Sequence, residues 1–255
     1  MENIVPLFSV RNLNKSFPNG FEALSGINLE LPQNKTILIA GANGSGKTIL
    51  MQILSGLIEP TEGEIYYKGK PLNEYGRNIN RKIGLVFQDA DAQILGETVE
   101  EDIRFGPENM KLPKKEIDRI VDTNLGALSL YDKRDSPAKH LSGGEKRRLA
   151  AAGVLAMGSE TIIMDEPFAN LDWPGVVQVL NLITDMRKDN RNIILLSHDL
   201  EKVLALMDHL VILEGGQIRD QGECEMVLNR LDPSWGVRDP RRSYKKVSDC
   251  SWLSP

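Results

Sequence analysis

The sequence of 255 residues is short of several things at once. It has two cysteines, Cys224 and Cys250, and neither lies in a C-x-x-C pair or near a metal-type histidine spacing. That excludes a disulfide framework and a zinc module, and scattered thiols fit a reducing compartment. A disulfide between Cys224 and Cys250 is the alternative to that reading. Aromatic residues make up 5%, too few for a platform that stacks nucleic-acid bases. Basic residues are not in excess: Lys plus Arg is 31 against 36 for Asp plus Glu, a formal net charge of −5, which argues against a nucleic-acid partner. No apolar run approaches the roughly 18 residues needed to cross a bilayer. Met1 to Pro6 lacks a basic stretch leading into an apolar one, so no signal peptide is expected there.

What is present is a hydrophobic fraction of 41%, enough for a sizeable core, in a pattern that alternates strands and helices. Strands are expected over residues 7–17 and 21–31, around the turn Pro18-Asn19-Gly20. Further strands are expected over 36–40, 63–67, 83–87, 161–164, 192–196 and 210–213. The continuous apolar runs among these indicate a parallel sheet covered on both faces. Residues 99–130 favour helix, with Ile117, Ile120, Val121 and Leu125 at helical spacing and with Pro107 and Pro113 as breaks. Helices are also expected from Ser142 or Gly143 to Met157, and from Pro174 to Lys188. After Asp232 the pattern fades into a polar, basic tail over 233–255, read as solvated chain.

Residues 41 to 48 read Gly41-Ala42-Asn43-Gly44-Ser45-Gly46-Lys47-Thr48 between a buried strand and a helix-forming run. This is the phosphate-binding pattern G-x-x-x-x-G-K-[ST] in its proper setting. Glycines let the backbone approach phosphate oxygens, and successive N–H groups converge at a helix start that carries partial positive charge. Lys47 can reach β- and γ-phosphates, and the Thr48 hydroxyl is placed for Mg²⁺. Asp165 and Glu166 follow an apolar strand, so they point into the crevice where α/β proteins bind ligands. Asp165 suits Mg²⁺, and Glu166 suits a general base toward water. Ser142-Gly143-Gly144-Glu145 precedes a helix and predicts a second anion-binding helix start. His198 and Gln88 each follow a strand. His198 could meet a water or a γ-phosphate, and Gln88 could ligate Mg²⁺ or contact the water. Phe17 is a plausible face for an adenine ring, although a hairpin aromatic is the plainer reading. His140 and His209 are read as structural.

Taken in order, these residues resemble the ATP-binding cassette (ABC) ATPase family over about residues 7–230. The aromatic Phe17 matches the A-loop, 41–48 the Walker A loop, and Gln88 the Q-loop. Leu141 to Glu145 match the signature, Ile162 to Asp165 the Walker B strand, Ala169 to Asp172 the D-loop, and His198 the switch histidine. The segments 86–93 and 98–107 are similar to energy-coupling factor (ECF) ATPases of cobalt, nickel and vitamin uptake systems. Glu145 stands where many members carry Gln, Ala92 where an acid is common, and Asn170 where a smaller residue is common.

The resemblance implies an α/β P-loop NTPase core, mostly parallel sheet with flanking helices. It adds an N-terminal antiparallel β subdomain and a helical subdomain inserted at about 95–157, with the ATPase domain spanning 1–232. It implies ATP and Mg²⁺ as ligands and ATP hydrolysis coupled to import, with a soluble ABC ATPase of DNA repair or translation as the alternative. An ATP-gated dimerisation switch without turnover is disfavoured by Glu166 and His198. Two cassettes would stack head to tail, as homo- or heterodimer. Ser142, Gly143, Gly144 and Glu145 of one would cap the nucleotide held by the other. The implied partners are this second cassette and a transmembrane subunit, and the implied place is the cytoplasmic face of the cell membrane, peripherally bound.

Overall fold

The computed structural model describes residues 5–242. Strands β1 (Phe8–Ser16) and β2 (Glu22–Leu31) pair antiparallel. Strand β3 (Thr36–Ala40) leads through the glycine-rich residues 41–46 into helix α1 (Lys47–Leu54). Strands β4 (Glu62–Tyr67) and β5 (Lys70–Pro71), helix α2 (Ile79–Lys82) and strand β6 (Ile83–Val86) follow. Then come helices α3 (Val99–Asn109), α4 (Lys114–Ala127) and α5 (Gly143–Ala156). The α/β order resumes with β7 (Thr161–Asp165), α6 (Trp173–Lys188), β8 (Asn192–Ser197), β9 (His209–Glu214), β10 (Gln217–Glu223) and α7 (Cys224–Asn229).

These strands form two sheets: a four-stranded antiparallel one in the order β2-β1-β4-β5, and a six-stranded one in the order β10-β9-β3-β8-β7-β6. The second is parallel except for its β9–β10 edge. Its inner strands β3, β7 and β8 are buried on both faces because both are covered, and side-chain alternation assigns each face its own core. Leu38, Ile162, Met164, Ile193, Leu195, Leu210 and Ile212 point toward the helices α5 and α6. Ile37, Ile39, Ile163, Ile194, Leu196, Val211 and Leu213 point toward α1 and the antiparallel sheet. Parallel register brings the carboxyl ends of β3, β7 and β8 to one edge: Ala40 pairs with Ser197, and Asp165 with Leu196.

Helices α3, α4 and α5 pack on one another, and α5 packs against β6, burying Val99, Ile103, Ile117, Val121, Leu125 and Leu149. Three corrections concern local structure. Pro107 lies inside α3 rather than breaking it, whereas Pro113 does stand at the start of α4. Strand β10 and helix α7 were not anticipated: β10 is a polar edge strand whose exposure erases the hydrophobic signal. The polar tail begins as packed chain, with 3-10 turns at Pro233–Trp235 and Pro240–Arg242, a buried Val237 and Trp235 lying against the core. Residues 243–255, with Lys245, Lys246 and Cys250, lie outside the described residues. Cys224 is buried in α7, and burial pushes its thiol up to about 12, so it is an inert packing residue. Among the described residues no helix is long and apolar enough to cross a membrane.

Candidate functional site

At the carboxyl edge of the parallel sheet, Asn43, Gly44, Gly46, Lys47, Thr48, Gln88, Asp165 and Glu166 line one cleft together with Phe21 and Ala23. The loop between β3 and α1 is fixed by close approach. A Cβ on Gly41 would fall 2.2 Å from the Leu213 carbonyl oxygen. Gly46 has φ +104° and would place a Cβ 2.8 Å from Leu24 Cδ2 and 2.9 Å from the Ala23 oxygen. Only glycine fits either position. Ser45 N–H donates to the Ala42 oxygen at 3.1 Å, closing the turn, and Gly216 N–H between β9 and β10 donates to the Ser45 oxygen at 3.1 Å. Ala42 and Gly41 add the carbonyls that anchor the lysine, while the buried Ser45 hydroxyl has no hydrogen-bond partner among the described residues.

Helix α1 starts at Gly46 with no side-chain cap and no acid in its first turn. Its leading N–H groups are therefore capped by no side chain and face no acid of the helix's own first turn, which suits a phosphate. Lys47 is buried, with Nζ donating to the oxygens of Gly41 at 2.7 Å and Ala42 at 3.1 Å. Burial lowers its pKa, and the nearby carboxylates of Glu166, 3.8 Å away, and Asp165 oppose that shift.

The two acids at the end of β7 differ in setting. Asp165 accepts from the Thr48 hydroxyl at 2.9 Å, and burial raises its pKa while the Thr48 bond lowers it. A hydroxyl, a carboxylate and the nearby Gln88 amide form a hard-oxygen donor set. Three or more metal-binding His, Cys, Asp or Glu side chains do not cluster among the described residues. The Thr48 hydroxyl and the Asp165 carboxylate are hard oxygen donors of the kind that would suit Mg²⁺.

Glu166 has a positive φ of 43°, a left-handed conformation costly for a residue with a Cβ. Its N–H donates to the Leu196 oxygen at 2.9 Å at the end of β8. Its carboxylate accepts from His198 N–H at 3.0 Å and from the Ser197 hydroxyl at 3.0 Å, and lies 2.8 Å from His198 Nδ1. The structure thus joins Glu166 to His198 across two parallel strands, as the shared carboxyl edge requires.

The remaining expected site residues fall elsewhere. Phe17 does not line the cleft. Its ring stacks at 6.3 Å on Phe21, which does, and Lys15 Nζ lies 5.3 Å over Phe17. Ser142, Gly143, Gly144 and Glu145 begin α5 away from the cleft. Gly143 lines a separate hollow with Asp89, Asp91, Lys146 and Asn170, and Gln88 borders both hollows. Ser142 Oγ accepts from Glu145 N–H at 3.3 Å, and Glu145 Oε2 accepts from Ser142 N–H at 2.8 Å, a reciprocal capping box. The Ser142 N–H lowers the Glu145 pKa, with Lys133 3.5 Å away.

Four contributors were missed by sequence reasoning. Phe21 lies four residues beyond Phe17, across a turn whose direction the sequence does not give. Ser197 looked like mere spacer before His198. Gly216 belongs to a hairpin with a weak apolar signal. Arg147 stands in the basic run Lys146-Arg147-Arg148, which marks none of the three, although Gly144, Arg147 and Ala151 recur on one helical face, and all three are buried.

The family profile described as "ABC transporter" matches residues 24–169. The chain is 38% identical over 222 residues to an energy-coupling factor transporter ATP-binding protein of Carboxydothermus hydrogenoformans, covering 87% of this chain and 82% of that protein. It is 37% identical over 229 residues to a cobalt import ATP-binding protein of Rhodobacter capsulatus, covering 89% and 82% respectively. In structure it resembles cbiO1 of Clostridium perfringens, part of the ABC transporter complex cbiONQ. That match has a TM-score of 0.82 and 34% identity, and covers 91% of this chain and 97% of the other.

Proposed function

Because the chain belongs to the ABC transporter family and is an ATPase of that family, we propose that it powers uptake of a metal ion or vitamin as the ATP-hydrolysing subunit of an importer of the energy-coupling factor type. The observation that carries the reading is the convergence of Lys47, Thr48, Asp165, Glu166 and His198 on one carboxyl edge, beside a glycine-lined helix start. The α1 start and Lys47 bind the phosphates. Thr48 and Asp165, with Gln88, hold Mg²⁺, which neutralises phosphate charge when bound. Glu166 accepts the proton of the attacking water, and His198, hydrogen-bonded to it, fixes its orientation. Phe21, with Phe17 stacked behind it, offers the adenine a ring face.

The start of α5 lies away from the chain's own phosphate loop, so its anion-binding capacity is spent on a nucleotide held by a second cassette, a copy or a sister chain. Ser142, Gly143, Gly144 and Glu145 then close the nucleotide between two chains. The relatives' names, which describe transport subunits, support a transmembrane partner. The helical region contributes exposed Leu95, Phe105 and Tyr131 as the surface for it. In this reading the chain sits peripherally on the cytoplasmic face of the membrane.

The test compares two variants. Lys47→Ala should lose ATP binding by about 100-fold or more and turnover with it, because a buried cation on the phosphates is worth at least about 3 kcal/mol. Glu166→Gln should keep ATP binding, lose turnover and accumulate as a dimer on size exclusion with ATP and Mg²⁺. A Glu166→Gln protein that stays monomeric while saturated with nucleotide contradicts the two-cassette reading.

A further inference from the structure

Arg147 is a buried guanidinium whose task the nucleotide site leaves unexplained. It sits on the second turn of α5, 6% exposed, and reaches out of the helical region into the parallel core. Its NH2 donates to the Gln88 oxygen at 2.6 Å, and its NH1 donates to the Glu166 oxygen at 2.9 Å, with the Ala169 oxygen at 3.5 Å. Among the described residues its Nε has no hydrogen-bond partner. Burial lowers its pKa, and the charges of Asp89 and Glu166 oppose that shift. Filling this space with an apolar side chain would cost less than burying a cation on carbonyls alone. Packing is therefore a poor reason for an arginine here.

The geometry points to a positioning role: Arg147 ties the helix that starts at Ser142 to the backbone carbonyls of Gln88 and Glu166, and so sets the carboxylate of Glu166 for catalysis according to where that helix lies. Glu166 is held in a left-handed conformation by two backbone anchors, its N–H on Leu196 and its C=O on Arg147. The first is internal to the sheet. The second comes from α5, the element whose N-terminus serves the other cassette's nucleotide. A shift of α5 on closing over that nucleotide therefore pulls on the carbonyl of this chain's own base and on Gln88. Arg148, next in sequence and equally buried, is the internal contrast. Its Nε donates to the Leu128 oxygen at 3.0 Å and its NH1 to Gln178, neither of which lines the cleft that holds Glu166.

This inference rests on the proposed role of Glu166. It is tested on the purified 255-residue chain with Arg147→Gln, Arg147→Lys and Arg148→Gln, and with Arg147→Gln placed in the Glu166→Gln background. Arg147→Gln should lower kcat about tenfold or more with KM for ATP within about twofold, the pattern of a lost transition-state arrangement rather than lost binding. Arg147→Lys, which keeps the cation and a donor, should recover part of that kcat and serves as the comparison if the Gln variant does not fold. The double variant should still dimerise with ATP and Mg²⁺ as Glu166→Gln does, a readout that a merely structural loss would destroy. Arg148→Gln should lower Tm while leaving kcat of the folded protein within about threefold. A kcat for Arg147→Gln within about twofold of the parent overturns the inference, as does loss of the ATP-driven dimer in the double variant alone. If Glu166→Gln itself stays monomeric, the functional reading fails instead, and kcat of Arg147→Gln still decides whether Arg147 serves turnover.

Discussion

Single residues in this protein are constrained less by what they are than by what lies within a few ångströms. Gly46 and Gly126 make the point. Gly46 opens α1 at φ +104° with Leu24 and Ala23 against the space a Cβ would need. Gly126 sits in α4 with nothing within 4 Å. Gly46→Ala should destabilise by about 1–3 kcal/mol through backbone strain and displacement of β2. It should also weaken ATP binding, because the leading N–H groups of α1 move with it. Gly126→Ala should stabilise by up to about 1 kcal/mol, since alanine restricts the unfolded chain and suits a helix. Equilibrium denaturation of the two variants, with nucleotide titration of the first, checks both. Equal effects would mean that the loop tolerates a side chain and that its glycines are not required.

Among the elements, the helical region is held by charge as well as by apolar packing. Glu100 on α3 accepts from Arg104 at 2.6 Å and from Arg134. Arg104 also pairs with Asp118 on α4, and Arg134 with Asp122 at 2.8 Å. The bond from Arg134 is the main reason the Glu100 pKa falls from 4.5 to about 2, with Arg104 adding to it and burial opposing. A carboxylate with a depressed folded pKa contributes stability above its unfolded value, and that stability is lost as pH falls toward the folded one. After allowance for solvent screening the contribution is on the order of 1–2 kcal/mol. Glu100→Gln should therefore be less stable than the parent by that amount at pH 7. The gap should close between pH 4.5 and 2, the two pKa values, when thermal or urea unfolding is followed against pH. A gap unchanged down to pH 2 would remove charge from the account. Capping adds to the same element: Thr98 and Glu101 make a reciprocal box at the start of α3, as Ser142 and Glu145 do for α5.

At the scale of the whole molecule, the chain returns to its own phosphate loop after the last helix. Gly236 lies against Ala42, where a Cβ would come within 3.2 Å of the alanine Cβ. Arg238 and Pro240 border the hollow that contains His198. Val237 anchors this return in the core. Val237→Asp should bury an unpaired carboxylate or release the segment, at a cost of about 2–3 kcal/mol and about 5–10 °C in Tm. ATP affinity should fall with it, because Ala42 loses its neighbour. A variant with unchanged Tm would show that residues 233–242 add nothing to the fold.

The sequence by itself determined the glycine loop between β3 and α1, the order of the motifs and the α/β class, because these are local. A glycine run between an apolar strand and a helix, or an acid pair after four buried residues, can be read without knowing what packs on it. The covered faces of β3, β7 and β8 were legible for the same reason: their apolar runs are continuous. Polar β10 and the packed start of the tail were not legible, since an edge strand and a surface turn bury too little to leave a period. Only the tertiary structure decided that Phe21 rather than Phe17 walls the cleft, and that Ser197 joins His198 in holding Glu166. It alone set Arg147 between Gln88 and Glu166. Each of those depends on side-chain direction and on strands brought side by side from distant parts of the chain, and neither is encoded in the spacing of residues along it.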